Sequence, residues 1–157
     1  PVAALTALQA LRDEGALRRG QRVLVNGASG GVGSFAVQIA KAMGAEVTGV
    51  CSTRNVALVR SLGADRVIDY TREDFAAEGA VYDLVVDMVG NRKPGEVLAA
   101  LKPEGTWVIV GGPSEGPWLG PLAPLLRALA HAPFASQRIV GFIEVGNRAD
   151  LETLARM

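Results

Sequence analysis

The stretch VLVNGASGGVGSFAVQIAKAMGAEVTGVCSTRN, residues 23–55, decides the fold of this chain. It begins with a short apolar run and continues through a turn that contains four glycines. The apolar residues that follow are spaced three and four apart, as in an amphipathic helix, and Gly44 stands where glycine commonly ends one. The pattern therefore predicts a strand, a tight turn, a helix and a second strand, in that order.

The predicted helix has one apolar face that repeats at i, i+3, i+4, i+7, i+8 and i+11. Its members, all predicted to face the core, are Val32, Phe35, Ala36, Ile39, Ala40 and Met43. Gln38 and Lys41 fall on the opposite face, which is predicted to be exposed.

Apolar runs bounded by turn residues recur along the whole chain and are predicted as strands. They occupy residues 23–25, 47–50, 66–68, 84–86, 107–110 and 139–143. Helical spacing between the runs predicts further helices near residues 54–63, 94–101 and 125–131. Apolar strands that alternate with helices are typical of a parallel sheet covered on both faces. The predicted fold class is therefore α/β, a doubly wound six-stranded parallel sheet (Rossmann fold) with strand order 3-2-1-4-5-6.

The composition is that of an ordinary globular protein, predicted to form one domain over residues 1–157. Its 16 Lys and Arg residues balance 16 Asp and Glu residues, so no charge excess favours nucleic acid or an anionic membrane. No apolar stretch is long enough to cross a membrane and no signal peptide is recognisable, which predicts a cytoplasmic protein. The single cysteine, Cys51, is predicted to be a buried small side chain rather than a reactive thiol.

The glycine-rich turn has the composition of a phosphate-binding turn. Against the pattern G-x-G-x-x-G, Ala28 replaces the first glycine, whereas Gly30 and Gly33 keep the second and third. A bare backbone at Gly30 lets a pyrophosphate approach, Gly33 lets the helix pack closely, and free N–H groups at the helix start favour an anion. The alternative is a purely structural turn between strand and helix.

The end of the second predicted strand bears on which nicotinamide cofactor would bind. NAD sites usually place an Asp or Glu there to accept the ribose hydroxyls. Here the chain has Ser52, Thr53 and Arg54, whose hydroxyls and guanidinium can hold a 2′-phosphate by charge-assisted hydrogen bonds. This favours NADP(H). The alternative is that Ser52 or Thr53 caps the next helix and Arg54 is a solvated surface charge.

Five stretches of the chain resemble the medium-chain dehydrogenase/reductase superfamily, in particular its zinc-independent, NADPH-using quinone oxidoreductase branch, the zeta-crystallin-like enzymes. They are LTALQAL, GQRVLVNGASGGVGSFAVQIAKAMGAEVTGVCST, SLGADRVIDY, YDLVVDMVG and GTWVIVGGP, in the order and at the spacing of the family. The resemblance covers nearly the whole chain, and Arg54 departs from the lysine or small polar residue often found in the family at that place.

The resemblance implies a cofactor site built from several parts of the chain. The residues implied at the pyrophosphate are Ser29, Gly30, Gly31 and Val32. Those implied at the adenosine 2′-phosphate are Ser52, Thr53, Arg54 and Tyr70. Those implied near the nicotinamide and its ribose are Thr6, Val89, Gly90, Gly111 and Gly112.

The resemblance also implies that this is one domain of a larger enzyme, since family members carry an additional N-terminal catalytic domain of GroES-like barrel type. The chain is therefore expected to be excised from a longer one. The full-length enzyme is expected to transfer hydride between NADPH and a quinone, an enone or a related carbonyl substrate. The isolated domain is expected to bind NADP(H) without turnover. The alternative function is a nucleotide-sensing regulatory module without catalysis.

No catalytic residue is assigned within the chain. A short-chain dehydrogenase would place a lysine four residues after its tyrosine, but Tyr70 is followed there by Asp74 and Tyr82 by Val86. Asp87 could act as a general base, but a carboxylate at a strand end more often caps a loop.

No metal site is predicted, because one histidine and one cysteine are too few to form one and the zinc-independent branch needs none. His131 is predicted to be a surface residue of a helix.

The last predicted strand, within SQRIVGFIEVG at residues 136–146, is placed at the edge of the sheet by chain order. Its apolar side chains are Ile139, Val140, Phe142 and Ile143. Exposed strand edges are usually covered, charged or paired with another strand. The only charged residues in this stretch are Arg138 and Glu144. A homodimer through this strand is predicted, as the resemblance also implies. The alternative is that a further domain or a crossing loop covers the edge.

Overall fold

The computed structural model describes residues 2–110, 136–141 and 148–156. Its strands are β1 (Arg22–Asn26), β2 (Glu46–Cys51), β3 (Arg66–Asp69), β4 (Tyr82–Asp87), β5 (Leu101–Ile109) and β6 (Arg138–Gly141). Its α-helices are α1 (Val2–Gln9), α2 (Gly31–Ala42), α3 (Val56–Ser61), α4 (Pro94–Ala100) and α5 (Arg148–Leu154). A π-helical turn, Ala10–Glu14, continues α1, and 3₁₀ turns occupy Thr53–Asn55 and Phe75–Glu78. The helix predicted over residues 125–131 lies outside the described residues.

The strands form one parallel sheet in the order β3-β2-β1-β4-β5-β6. The predicted fold class and strand order are therefore confirmed. The order reverses between β1 and β4, because the crossovers that follow β1 lead first to one side of it and then to the other. In such sheets a crevice opens at the carboxyl ends of the two central strands, and ligands bind there.

The central part of the sheet is buried on both faces, and β1, β2 and β4 consist almost entirely of buried residues. Val23 and Val25 of β1 pack into one core with α1 and α2, whereas Leu24 packs into a second core on the other face. The second core contains Phe75 and Trp107. Successive strand side chains point to opposite faces, so each of the strands β1 to β5 contributes to both cores.

The core-facing side of α2 differs from the predicted one. Phe35 is 42% exposed, so the prediction that it faces the core was wrong. The buried residues are Gly33, Ala36, Val37, Ile39 and Ala40. A Cβ at Gly33 would lie 2.1 Å from the Gly27 carbonyl oxygen, so the helix rests directly on the turn that precedes it. This close approach selects the face with the smallest side chains and turns Phe35 outward.

Candidate functional site

The glycine-rich turn connects the carboxyl end of β1 to the first turn of α2. Gly27 has a left-handed φ of +87°, which glycine adopts without strain. The N–H groups of Gly27 and Ala28 donate to the Val50 carbonyl oxygen at 3.2 and 3.0 Å, and the Gly30 N–H donates to Gly27 at 3.0 Å. The turn is therefore anchored to β2 as well as to β1. The contact at Gly33 confirms that this glycine lets α2 pack closely.

The smaller of two neighbouring cavities, with a volume of about 400 Å³, opens over this turn. It is lined by Gly27, Ser29, Gly30, Gly31, Val32, Gly33, Met88 and Val89. A Cβ at Gly31 would meet nothing within 4 Å, so the backbone is bare on that side. The first N–H groups of a helix have no intrahelical partner, and those of α2 begin here. All four residues implied at the pyrophosphate line this cavity.

A larger cavity of about 570 Å³ lies beside the first and shares Gly27, Ser29 and Val89 with it. It is lined by Asn26, Gly27, Ser29, Val50, Cys51, Ser52, Arg54, Asn55, Tyr70, Val89, Asn91 and Arg92. These residues come from the ends of β1 and β2, from the residue after β3 and from the loop after β4. Three of the four residues implied at the 2′-phosphate, Ser52, Arg54 and Tyr70, are thereby brought together.

The two arginines of the larger cavity differ in their partners. Arg92 forms ion pairs with Asp74 at 3.3 Å and Glu96 at 3.5 Å, and its guanidinium lies over the Phe75 ring, 5.0 Å from the ring centre. Arg54 is exposed and has no ion pair or hydrogen bond to any residue that the structure describes. Arg54 is therefore the guanidinium that is available to an incoming anion.

Thr53 is placed differently from its neighbours and does not line either cavity. Its hydroxyl donates to Asp69 Oδ2 at 2.5 Å, and Asp69 Oδ1 accepts from the backbone and hydroxyl of Thr71. The hydrogen bond from Thr53, supported by those from Thr71, lowers the pKa of Asp69. Ser52 precedes the Thr53–Asn55 turn but makes no side-chain capping hydrogen bond, so the capping alternative is wrong for Ser52.

Asn55 is a cavity residue that the sequence analysis missed. Its Nδ2 donates to Ser29 Oγ at 3.0 Å and to Ser52 Oγ at 3.4 Å. One amide thus connects the turn after β1 with the end of β2. The sequence offers no signal for this contact, since Ser29 and Asn55 are separated by 26 residues and by a whole helix.

Asp87 ends β4 and organises the loop that follows it. Its Oδ1 accepts hydrogen bonds from the N–H groups of Val89 at 3.0 Å and Gly90 at 2.9 Å, and from Asn26 Nδ2 at 2.9 Å. The interpretation of Asp87 as a loop cap is confirmed. The same bonds hold Asn26 and Val89, which both line the larger cavity.

The remaining residues implied near the nicotinamide are not brought together by the described structure. Thr6 is buried in α1, its hydroxyl donates to the Val2 carbonyl at 2.9 Å, and it lines neither cavity. Gly111 and Gly112 lie outside the described residues.

The family model described as zinc-binding dehydrogenase matches residues 31–157. The chain belongs to the zinc-binding dehydrogenase family. The resemblance to the medium-chain dehydrogenase/reductase superfamily is confirmed, and this superfamily uses a nicotinamide cofactor. The match begins inside the glycine-rich turn and therefore includes most of the elements that line the two cavities.

The chain is similar to solved and curated proteins. The structure of the quinone oxidoreductase from Coxiella burnetii matches with a TM-score of 0.85 at 33% identity, covering 99% of this chain and 46% of that chain. Trans-enoyl reductase pgmF of Aspergillus terreus is 54% identical over 89 residues, covering 55% of this chain and 25% of the relative. The mitochondrial NAD(P)H oxidoreductase RTN4IP1 of Mus musculus is 46% identical over 109 residues, covering 65% of this chain and 28% of the relative.

The chain thus spans about a quarter of the length of these curated relatives and less than half of the solved one. All three are named as reductases or oxidoreductases, and none of them supports the alternative of a nucleotide sensor without catalysis.

Cys51 is buried, as predicted. It is 2% exposed, and burial, followed by the nearby charge of Asp69, raises the pKa of its thiol. A raised pKa reduces the thiolate that would react, so the interpretation as an inert side chain is supported.

Within residues 2–110, 136–141 and 148–156, no three or more His, Cys, Asp or Glu side chains form a group that could hold a metal ion. None of the helices in these ranges combines the length and the apolar character that a membrane span requires. His131 lies outside these ranges.

Proposed function

We propose that this chain is the NADP(H)-binding domain of a zinc-independent oxidoreductase. The observation that carries the proposal is the lining of the larger cavity, where the described residues include two arginines and no carboxylate. A carboxylate at the end of β2 would accept the ribose hydroxyls of NAD and repel a 2′-phosphate. The Arg54 guanidinium, which has no partner among the described residues, instead offers donors that match phosphate oxygens.

The pyrophosphate would lie in the smaller cavity, over Ser29, Gly30, Gly31 and Val32. Free N–H groups at the start of α2, a helix of 12 residues, favour an anion there. The bare backbone at Gly31 supports this placement, because it leaves room for phosphate oxygens to approach the N–H groups.

The adenosine 2′-phosphate would lie in the larger cavity, held by Ser52, Arg54 and Tyr70. Thr53 would act through Asp69, since its hydroxyl occupies one oxygen of that carboxylate. The nicotinamide would extend past Val89 and Gly90. Thr6, Gly111 and Gly112 would also lie near the nicotinamide and its ribose.

In the full-length enzyme the bound NADPH would supply hydride to a small-molecule substrate, a quinone, an enone or a related carbonyl compound. The domain would bind and orient the cofactor, and the isolated domain would not turn substrate over. Relatives named as a trans-enoyl reductase and a quinone oxidoreductase support this substrate class. A cytoplasmic location is part of the proposal, although the RTN4IP1 relative is named as mitochondrial.

Calorimetric titration of NADPH and NADH tests the proposal. The wild type is expected to bind NADPH more tightly than NADH. Arg54→Ala is expected to weaken the binding of NADPH by about 1–3 kcal/mol, the scale of a charged hydrogen bond, and to leave the binding of NADH nearly unchanged. Arg60→Ala, an exposed arginine on α3 that lines neither cavity, is the matched control. Equal affinities for both cofactors in the wild type would refute the proposal. An equal loss of NADPH and NADH affinity in Arg54→Ala would show that Arg54 has only a structural role.

A further inference from the structure

We propose that Asn55 is a positioning residue that orients the hydroxyl protons of Ser29 and Ser52 toward phosphate oxygens. The inference rests on the proposed function, because it concerns the same cavity. It adds a residue and a chemical role that neither the glycine-rich turn nor the arginine supplies.

The geometry places one amide between two hydroxyls. Asn55 follows β2 in the 3₁₀ turn Thr53–Asn55, and its Nδ2 carries two hydrogens. Ser29 Oγ accepts one hydrogen bond at 3.0 Å and Ser52 Oγ accepts another at 3.4 Å. All three side chains line the larger cavity.

The chemistry of a hydroxyl turns this geometry into a direction. A serine hydroxyl has one hydrogen to donate and two lone pairs that accept. Because Ser29 Oγ and Ser52 Oγ each accept from Asn55, their own hydrogens point away from the amide. Among the residues that the structure describes, neither hydroxyl donates to a protein acceptor. Both hydrogens are therefore available to a ligand in the cavity.

A phosphate suits these donors because its oxygens accept hydrogen bonds and carry negative charge. Ser29 also borders the smaller cavity, whereas Ser52 stands beside Arg54. Asn55 would therefore prepare donors at two places on a ligand that carries more than one phosphate. A polar residue that only accepted hydrogen bonds at position 55 would turn both hydroxyl hydrogens toward itself and away from the ligand.

The test is a calorimetric titration with inorganic pyrophosphate and, separately, with NADPH. It compares the wild type with Asn55→Ala, and repeats the pair in a background in which Ser29→Ala and Ser52→Ala remove both hydroxyls. Asn55→Ala is expected to weaken the affinity for pyrophosphate by about 5-fold to 10-fold when both serines are present. When both serines are absent, it is expected to weaken this affinity by less than about 2-fold. Asn55→Asp keeps the size but only accepts hydrogen bonds and adds a negative charge, and it is expected to weaken binding more than Asn55→Ala.

The outcomes distinguish a failure of the inference about Asn55 from a failure of the proposed NADP(H)-binding function. An equal loss with and without the serines would show that Asn55 acts on the fold alone and would overturn the inference, as would Asn55→Asp binding as tightly as the wild type. Absence of pyrophosphate binding by the wild type would also overturn it. Binding of pyrophosphate with the expected pattern, but no binding of NADPH, would refute the proposed function and leave the role of Asn55 intact. Thermal unfolding of every variant checks that the fold is kept.

Discussion

At the residue scale, backbone strain is found at Glu104, which has a left-handed φ of +65° although it carries a Cβ. The residue lies where β5 leaves register with β4, between the pair Tyr82 and Leu101 and the pair Leu84 and Thr106. Its side chain is exposed, and its left-handed conformation costs free energy.

Glu104→Gly is expected to raise the free energy of unfolding by about 0.5–1 kcal/mol, because glycine adopts this φ without strain. Urea unfolding of the purified protein measures the change. Glu104→Ala removes the same carboxylate but keeps the Cβ, so it is the control and should bring no comparable gain. Equal stabilisation by both changes would attribute the effect to charge.

The hydroxyl of Thr53 lowers the pKa of Asp69, so the pair links stability to pH. A lowered carboxyl pKa stabilises the fold above the unfolded value of about 3.9, and this contribution is lost as the pH falls through the folded value. Thr53→Val is expected to raise the pKa of Asp69 in the folded protein and to move acid unfolding to higher pH.

The measurement for Thr53→Val is an NMR titration of the Asp69 carboxyl carbon together with acid unfolding followed by circular dichroism. Ser61→Ala, which removes an exposed hydroxyl on α3, serves as the control and should leave both curves in place. An unchanged Asp69 titration in Thr53→Val would mean that Thr71 and its surroundings alone set the pKa.

At the element scale, the packing of α2 on its own preceding turn joins fold and site. A Cβ at Gly33 would collide with backbone atoms of Gly27 and Ala28, at 2.1 to 2.9 Å, which cannot move aside as a flexible side chain would. Two positions in the first turn of α2 thus differ in whether they tolerate a Cβ, because a Cβ at Gly31 would meet only open space. The helix start is therefore held close to the sheet and bare toward the smaller cavity.

Gly33→Ala is expected to lower the free energy of unfolding by at least about 2 kcal/mol, since overpacking against backbone forces the helix away. Gly31→Ala is expected to keep or raise stability, because alanine favours a helix by up to about 1 kcal/mol over glycine. Its methyl group would occupy the proposed pyrophosphate position, so NADPH and NADH should both bind more weakly. Thermal unfolding and calorimetry measure the two effects.

Wild-type stability in Gly33→Ala would contradict the close packing of α2 on the turn. Unchanged binding of both cofactors in Gly31→Ala would place the pyrophosphate elsewhere.

At the scale of the whole molecule, distant parts of the chain are joined by a few polar contacts and by the sheet. Asp150 of α5 is buried, forms an ion pair with Arg12 at 2.7 Å, and accepts a hydrogen bond from Gln9 Nε2 at 2.7 Å. These contacts hold the last described helix against the first. Among the strands that the structure describes, β3 lies at one end of the sheet and β6 at the other.

We propose that the protein forms a homodimer through the stretch 136–146, which contains β6, as the sequence predicts. The described part of β6 pairs with β5 alone, so its outer N–H and C=O groups offer a template for a second strand. Ile143, which lies outside the described residues, is the position for the test. Light scattering is expected to show a dimer for the wild type and a monomer for Ile143→Lys, because two-fold symmetry would oppose the new charges.

Leu58→Lys adds the same charge on α3, whose exposed Leu58 is 47% accessible, and is expected to leave the dimer intact. A wild-type monomer, or a dimer unaffected by lysine at position 143, would refute the proposal.

The sequence by itself determined the architecture and predicted several of the residues that line the two cavities. Alternation of apolar runs and helical spacing predicted the strand order, because the handedness of crossovers leaves few arrangements of such a chain. The turn and the polar end of β2 were recognisable because each is a local pattern at a strand end, where parallel strands present ligands. Periodicity failed at Phe35, since it cannot show how closely small residues let a helix approach its turn.

Only the tertiary structure decided which polar side chains meet. The bonds from Asn55 to Ser29 and from Thr53 to Asp69 join residues separated by 26 and 16 positions. The bond from Asn26 to Asp87 joins two residues of neighbouring strands that are 61 positions apart. The physical reason is range: periodicity and turn chemistry act over a few residues, whereas a hydrogen bond depends on where neighbouring strand ends lie to within a fraction of an ångström.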